Sequence, residues 1–236
     1  KCLLIEEGKE KVLVVGDLML DVYSYGTSRR RSPEAPVPVV AFHHTRTMPG
    51  GAANVARNIV AAGAHAVLVG VVGHDIAGVE LKTLLRKSGV SVRSVVTATD
   101  GRPTTRKQRV VIDGHHALRL DAETTRAVVL DRPTLTQHIR TALKTCTAVL
   151  ISDYTKGVVT KELVAAVLTE ARRLNVPVIV DTKPAHKQYF KRVALITPNK
   201  KEAFEMTGAR SVVSAGRALY ASLRSPILVT EGKHGM

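Results

Sequence analysis

A glycine pair followed by an asparagine opens one of the helical patterns in this sequence. Gly50 and Gly51 allow a ligand to approach the backbone closely, and the free N–H groups of a first helical turn suit oxygen-rich or anionic groups. Asn54, in that turn, can both donate to and accept from a hydroxyl. A simple loop-to-helix turn explains the same residues, and a Gly-Gly pair alone favours that simpler interpretation.

Two carboxylates, Asp17 and Asp21, follow the first apolar run, which covers positions 11–15. A carboxylate accepts several hydroxyl hydrogen bonds and therefore suits a polyol ligand. Aspartate is also a common turn residue whose side chain accepts from backbone N–H groups. We assign Asp21 to the ligand and Asp17 to the turn.

Asn199 and Glu202 lie three residues apart where a strand pattern gives way to a helical one. An amide and a carboxylate at this spacing can hold a hydrated Mg²⁺ together with the phosphates that it bridges. The same spacing matches a helix capping box, so both interpretations stay open. Lys183 follows another strand pattern, where it is either a phosphate-binding charge or an ordinary surface lysine.

Basic residues also occur in the extended segments. Lys107 and Arg109, with Arg106 beside them, could bind a phosphate on a substrate from a lid, as could the run 29–31. A solvated charged surface explains them as well. The pairs His43-His44 and His115-His116 receive no role, because neighbouring residues on a strand point to opposite faces.

The elements that must position these residues alternate between strand and helix. Such alternation predicts right-handed crossovers and an α/β fold with a mostly parallel sheet covered by helices. The predicted strands are 11–15, 66–72, 90–96, 148–152, 176–181, 193–197 and 227–230. The predicted helices are 50–62, 77–87, 132–144, 161–174, 200–207 and 213–223.

Three more polar extended segments, 37–42, 105–112 and 117–121, predict a separate small sheet, with Asp113-Gly114 as a hairpin turn. Ligands of open α/β sheets bind beyond the carboxyl ends of the strands. Polar residues collect at that edge of the predicted sheet, namely Gly16, Asp17, Asp21, Asp153, Asp181, Lys183, Asn199, Glu202, Thr230 and Gly232.

Composition limits the function classes. The chain has 236 residues, of which 44% are hydrophobic, and this suits one α/β domain. The net charge of +15 would suit nucleic acid, but the charges are scattered and aromatics make up only 3%. A site for small polyanions and a solvated basic surface both stay open. Cys2 and Cys146 match no metal-ligand spacing. Without an apolar run of about 18 residues or a signal-peptide core, no membrane role and a cytoplasmic location are expected.

Several segments, in order, resemble the ribokinase-like (PfkB) carbohydrate kinases. They are GD after the first strand, MPGGAANVARN, VGVVGHDIAG, SDYTKG, VDTK and TPNKKE. The segments SPEAPVPVV and GDLMLDVYSYG resemble the D-glycero-β-D-manno-heptose 7-phosphate kinases specifically. The resemblance runs nearly from end to end. It implies a Rossmann-type sheet with a small β lid, at about 22–45 and 103–121, that often joins two subunits in a homodimer.

The resemblance also implies roles for particular residues. Sugar contacts would come from Asp21, Gly50, Gly51 and Asn54, with Asp153 and Lys156 near the sugar and its phosphate. ATP and Mg²⁺ would lie at the segment Asn199, Lys200, Lys201 and Glu202, with Asn199 and Glu202 as the metal ligands and Lys183 near the nucleotide. These roles are implied by the family.

The chain departs from the family pattern in one respect. Family members continue to a Gly-Ala-Gly-Asp motif that supplies the general base and an anion hole, and the 236 residues contain no such motif. We therefore expect one kinase domain, 1–236, that is incomplete at its C-terminus and has no catalytic base. The expected reaction is ATP-dependent phosphorylation of the anomeric hydroxyl of heptose 7-phosphate, on the route to ADP-heptose for lipopolysaccharide. The alternatives are a PfkB kinase for another sugar phosphate, or a catalytically incompetent fragment that keeps sugar binding and dimerisation.

Overall fold

A computed structural model describes residues 10–128 and 132–236. Cys2 lies outside the described residues, as does most of the N-terminal segment 1–10, in which the sequence shows no signal-peptide core. The strands are β1 Lys11–Gly16, β2 Leu18–Arg31, β3 Pro38–Gly51, β4 His65–Val72, β5 Ser91–Thr97, β6 Thr105–Ile112, β7 His115–Ala122, β8 Ala148–Ser152, β9 Val178–Asp181 and β10 Leu195–Ile196. The α-helices are α1 Ala52–Ala61, α2 Ile76–Lys87, α3 Arg132–Leu143, α4 Lys161–Arg173, α5 Lys200–Thr207 and α6 Val212–Leu223.

The central sheet has the order β10-β9-β8-β1-β4-β5, and its neighbouring strands pair in parallel. Aliphatic side chains of these strands are buried by helices, which confirms the predicted α/β class. The predicted strand 193–197 shortens to Leu195–Ile196. The predicted strand 227–230 forms only two isolated bridges, Ile196 to Ile227 and Asn199 to Thr230.

A second sheet has the order β3-β2-β6-β7. The predicted hairpin at Asp113-Gly114 is confirmed, since β6 and β7 pair antiparallel and both turn residues have positive φ, 49° and 82°. The 14-residue strand β2 was not predicted, and β3 extends far beyond the predicted 37–42. As a result Gly50 and Gly51 end β3, and α1 begins two residues later than predicted. The use of this sheet as a lid stays a prediction.

Among the described residues, no helix is long and apolar enough to span a membrane.

Candidate functional site

The carboxyl edge of the central sheet brings three aspartates close together. Gly16 at the end of β1 pairs with Ser152 on β8, and Ser152 pairs with Asp181 on β9. A Cβ at Gly16 would lie 2.0 Å from the Ser152 carbonyl oxygen, so only glycine permits this contact. Asp17 and Asp153, which follow β1 and β8, therefore lie at one edge with Asp181.

Asp17 is fully buried and holds the loop that follows β8. Its Oδ2 accepts from the backbone N–H groups of Tyr154 (2.7 Å) and Lys156 (3.1 Å), and its Oδ1 accepts from Val158 N–H (3.0 Å). Burial raises the pKa of Asp17, while these three hydrogen bonds act in the opposite direction. Asp17 therefore satisfies backbone groups, as predicted, but in the distant 153–158 loop and not in its own turn.

Asp21, Gly50, Gly51 and Asn54 are the predicted sugar contacts. Together with the cations Lys107, Arg109 and Lys156 we call them the sugar half of the site. A Cβ at Gly50 would lie only 2.2 Å from Asp21 Oδ2, so the glycine leaves room for that carboxylate. Gly51 has φ 56° and precedes α1 without a side-chain cap on the first-turn N–H groups. Asn54 Oδ1 accepts from Arg57 Nη2 at 2.7 Å. The structure thus brings Asp21 close to the segment that leads into α1, while sugar binding by these residues stays a prediction.

The predicted phosphate-binding cations are paired with carboxylates. Arg109 Nη1 lies 2.6 Å from Asp21 Oδ1, and this hydrogen bond raises the pKa of Arg109. Lys156 Nζ lies 2.7 Å from Glu123 Oε1, and Lys107 Nζ lies 3.6 Å from Glu123 Oε2. These side chains are mostly buried, so a phosphate would have to displace the carboxylates to reach the three cations, and phosphate binding by them stays a prediction.

The arginine run 29–31 does not belong to this group. It ends β2, and Arg30 is nine positions after Asp21, which is about 30 Å of extended chain. These arginines are exposed, as the alternative of a solvated charged surface requires, and a role in binding the substrate phosphate from a lid stays a prediction.

We call Lys183, Asn199, Lys200, Lys201 and Glu202 the nucleotide half. Asn199 Oδ1 accepts from Glu202 N–H at 2.9 Å, and Glu202 Oε2 accepts from Asn199 N–H at 3.0 Å. This is the capping box that starts α5. Of the two interpretations of this spacing, the structural one is confirmed, while metal binding by the same residues stays a prediction.

Lys183 contacts both helix α5 and the loop that follows β8. Its Nζ forms an ion pair with Glu202 Oε1 and lies 5.2 Å from the centre of the Tyr154 ring. Burial lowers the pKa of Lys183, but the hydrogen bond and charge of Glu202 outweigh it, so the pKa is raised. Burial also raises the pKa of Asp181. The lysine is therefore a charged, partly buried group and not a free surface side chain.

The other two lysines of this half extend from the first turn of α5. Lys200 Nζ lies 3.1 Å from Glu231 Oε2 and 6.0 Å from the centre of the Phe204 ring. Lys201 is exposed. Both stand beside the bridge from Asn199 to Thr230, at the outer edge of the central sheet.

The donor set suits a hydrated Mg²⁺ better than a fully coordinated one. Among the described residues, no group of three or more His, Cys, Asp or Glu side chains is arranged to hold a metal ion. Glu202 and Asn199 already accept hydrogen bonds, but a carboxylate has about four lone-pair sites and an amide oxygen has two, so each can still accept from a metal-bound water. A Mg²⁺ that keeps several waters fits these two residues.

Asp153 is fully buried, and its carboxylate joins the two halves. Oδ1 accepts from Thr155 N–H at 2.8 Å, while Oδ2 accepts from Thr182 Oγ1 at 2.9 Å and lies 2.9 Å from His186 Nδ1. Both oxygens therefore have partners within the chain. The implied position of Asp153 near the sugar stays a prediction, and its visible role is structural.

Sequence reasoning missed two side chains at this edge. Tyr154 lies beneath the Lys183 ammonium, and burial raises its pKa, with the nearby Asp181 acting in the same direction. His186, in a 3₁₀ helix at Pro184–Tyr189, contacts Asp153. Tyr154 stood inside the recognised segment SDYTKG and could have been singled out. His186 had no such signal, since its partner lies 33 residues away.

The fold is that of the ribokinase-like kinases. Phosphofructokinase-2 from Escherichia coli, in complex with fructose-6-phosphate, is similar with a TM-score of 0.70 at 19% identity, over 94% of this chain and 74% of that one. A carbohydrate kinase from Agrobacterium tumefaciens is similar with a TM-score of 0.66 at 20% identity, over 93% and 70%. At these identities the similarity shows the fold alone.

The sequence defines the family within that class. Residues 9–236 match the sequence model of the pfkB family carbohydrate kinases, and the chain belongs to this family. It is 42% identical over 236 residues to the bifunctional protein HldE of Nitrobacter hamburgensis, covering 96% of this chain and 48% of that protein. It is 40% identical to the bifunctional protein HldE of Bradyrhizobium sp. (strain ORS 278), over 97% and 48%. The chain spans about half the length of these curated relatives.

Proposed function

We propose that this chain binds D-glycero-D-manno-heptose 7-phosphate and presents its anomeric hydroxyl to ATP, as the acceptor part of a heptose 7-phosphate kinase. One observation carries this proposal: Gly50 lies against the Asp21 carboxylate two residues before α1, whose first turn has no side-chain cap. The Ala52 N–H donates to the Asp17 carbonyl oxygen, which leaves the next N–H groups of that turn for a ligand. A carboxylate and free N–H groups together can bind several hydroxyls of one sugar. The similarity to the HldE proteins supports the choice of a heptose.

In this proposal the chain's own residues orient both substrates. Asp21, Gly50, Gly51 and Asn54 bind the sugar hydroxyls, and Lys107, Arg109 and Lys156 exchange their carboxylate partners for the sugar phosphate. Lys183, Lys200 and Lys201 bind the ATP phosphates. Asn199 and Glu202 hold a hydrated Mg²⁺, which would neutralise charge on the transferring phosphoryl group.

The proton on the attacking hydroxyl needs an acceptor that these residues do not include. No Gly-Ala-Gly-Asp sequence occurs in the 236 residues, and we assign no catalytic base within them. Sugar-phosphate binding is therefore the property that we expect of this chain itself. Substantial turnover requires a base, so we propose that the isolated chain binds far better than it catalyses.

A homodimer through the second sheet is part of the proposal. Phe42, Leu118 and Leu120 are 64%, 55% and 50% exposed. All three lie on one face of the second sheet, opposite to the face of Asp21 and Arg109. The strand pairing that places them there is Gly26–Phe42, Ser24–Val110–Leu118 and Val22–Gln108–Leu120. This apolar face suits a second copy of the chain. Light scattering should show a dimer, and Leu120→Lys should shift it to a monomer.

The experiment for the main proposal combines calorimetry with an ADP-release assay. Heptose 7-phosphate should bind the chain, Asn54→Ala should weaken that binding at least about tenfold, and fructose 6-phosphate should bind more weakly. Binding of fructose 6-phosphate in preference to the heptose would favour a kinase for another sugar phosphate. The absence of binding by any sugar phosphate would contradict the proposal. Turnover comparable to that of a complete kinase would contradict the assignment of no base.

The proposed setting is the cytoplasm, where ATP is available, with neither a membrane nor a nucleic acid as a partner. The scattered basic residues and the aromatic content of only 3% support the absence of a nucleic-acid partner. Salt-sensitive, submicromolar binding of random duplex DNA would contradict it.

A further inference from the structure

His186 contacts the buried carboxylate that connects the two halves of the site. Its Nδ1 lies 2.9 Å from Asp153 Oδ2, and its ring stacks on Tyr189 with the ring centres 4.9 Å apart and the planes at 15°. A carboxylate can only accept, so Nδ1 carries the proton and donates. The imidazole is therefore held in one position by this contact, with a proton on Nδ1.

The contacts of Asp153 divide between its two oxygens. Oδ1 accepts from Thr155 N–H, on the loop that carries Lys156. Oδ2 accepts from Thr182 Oγ1 and, at 3.4 Å, from Lys183 N–H. His186 donates to Oδ2, the oxygen on the Lys183 side. Loss of the imidazole would therefore act mainly on the loop that carries Lys183.

The loop on the other side has a separate support. Asp17 accepts from three N–H groups of residues 154–158, independently of His186. The Lys183 loop, by contrast, is held by Asp153 Oδ2, by the Lys183–Glu202 ion pair and by a backbone hydrogen bond from His186 N–H to the Lys183 carbonyl oxygen at 3.0 Å. The backbone bond does not involve the imidazole, so a substitution of His186 tests the contact at Oδ2. A disturbance at Oδ2 should therefore move Lys183 and leave Lys156 in place.

We propose that His186 is a positioning residue that, through Asp153, fixes Lys183 for the phosphates of the nucleotide. This inference rests on the proposed function and adds a residue that touches neither substrate. It assigns to His186 an effect on nucleotide binding that is separable from sugar binding.

Two substitutions separate the hydrogen bond from the packing. His186→Phe keeps a ring against Tyr189 and removes the donor, whereas His186→Asn removes the ring and keeps a donor near the position of Nδ1. The matched control is His65→Phe, at an exposed histidine that starts β4 on the opposite edge of the sheet. Calorimetry with Mg·ATP and, separately, with heptose 7-phosphate measures the two affinities.

We expect His186→Phe to weaken Mg·ATP binding about tenfold and heptose 7-phosphate binding less than about twofold, as the loss of one charge-assisted hydrogen bond implies. His186→Asn should restore Mg·ATP binding to within about threefold of the original chain, and His65→Phe should change neither affinity. Equal affinities for His186→Phe and the original chain would overturn the inference, and so would equal losses for both His186 variants. If the original chain binds neither ligand, the proposed kinase function fails and this inference fails with it.

A measurement on the unsubstituted protein guards against variants that fail to fold. Long-range ¹⁵N–¹H correlation spectra of histidine should show a proton on Nδ1 of His186. A proton on Nε2 alone would contradict the hydrogen bond to Asp153, whatever the binding data show.

Discussion

Gly50 and Gly51 shape the sugar half with backbone, whereas Lys183 and Glu202 fill the nucleotide half with a pair of side chains. In the sugar half the close approach of Gly50 to Asp21 and the uncapped start of α1 exist before any ligand arrives. In the nucleotide half the capping box and the ion pair already use the polar groups that a nucleotide would need. The backbone of the first half is preorganised, although its cations must still exchange carboxylate partners. In the second half even the groups that define the shape of the site must exchange internal contacts for ligand contacts.

This difference has a structural cause. The sugar half lies where β1, β3 and α1 meet above the centre of the sheet, and Asp17 ties that region to the loop after β8. The nucleotide half lies beyond β9 and β10, where the sheet continues only as two isolated bridges. Backbone hydrogen bonds hold these loops in place, but the polar side chains of this half are paired with one another and so define its surface. The predictions below test this contrast, beginning with the largest expected effect.

The support of the sugar half should depend on the buried carboxylate of Asp17. Asp17→Ala leaves three N–H groups in the protein interior without an acceptor, and we expect it to lower the free energy of unfolding by at least about 3 kcal/mol. Asp17→Asn keeps an acceptor oxygen and avoids burying a charge, so it should cost less. Urea denaturation measures both.

The control for these variants is Glu34→Ala, which removes an exposed carboxylate and should change stability by less than about 0.5 kcal/mol. An Asp17→Ala variant as stable as this control would mean that the 153–158 loop does not need the carboxylate. The contrast between the two halves would then lose its physical basis.

Preorganisation of the sugar half makes Gly50→Ala a test of its geometry. The new Cβ would lie 2.2 Å from Asp21 Oδ2 and 2.8 Å from Met19 Cγ, so the carboxylate must move. We expect heptose 7-phosphate affinity to fall about thirtyfold, or about 2 kcal/mol, while Mg·ATP affinity stays within about twofold. Calorimetry with each ligand measures this. Unchanged sugar affinity would show that Asp21 is not placed by this contact.

The nucleotide half should respond less strongly, because its groups are exchangeable. Lys183→Met removes the partner of Glu202, and Mg·ATP affinity should fall about tenfold with little change in sugar affinity. Lys87→Met, at an exposed lysine in the last turn of α2, is the matched control. Equal losses of both affinities in Lys183→Met would show that the two halves are not separable.

These variants also mark how far sequence reasoning reaches. The central parallel sheet and the hairpin at Asp113-Gly114 could be predicted, because buried strands and Asp-Gly turns are local patterns. The glycine pair and Asp21 could be chosen as candidates for the same reason. Strand β2 was missed because Asp17 and Asp21 look like turn residues when their partners are unknown.

The contacts that define the difference between the two halves are not local. Asp17 accepts a hydrogen bond from Tyr154, which is 137 residues away. Lys183 pairs with Glu202, which lies in the first turn of helix α5. Asn199 and Glu202 show the remaining difficulty, since one spacing suits both a capping box and a metal site. The structure confirms the cap, and the chemistry of the site depends on which of these contacts a ligand replaces.

The smallest expected effect tests whether the two halves unfold as one unit. Gly216 lies within α6, and a Cβ there would meet nothing within 4 Å, so Gly216→Ala should stabilise the helix by up to about 1 kcal/mol. Helix α6 buries Ala215, Leu219 and Leu223 in the same core cluster as Leu13 of β1. We therefore expect the gain to appear in the global free energy of unfolding measured with urea. If hydrogen exchange slows only in α5 and α6 while the global value stays constant, the nucleotide half opens separately from the sugar half. In that case the ion pair and the capping box of the nucleotide half would belong to a region that is locally less stable, in addition to being contacts that a ligand can replace.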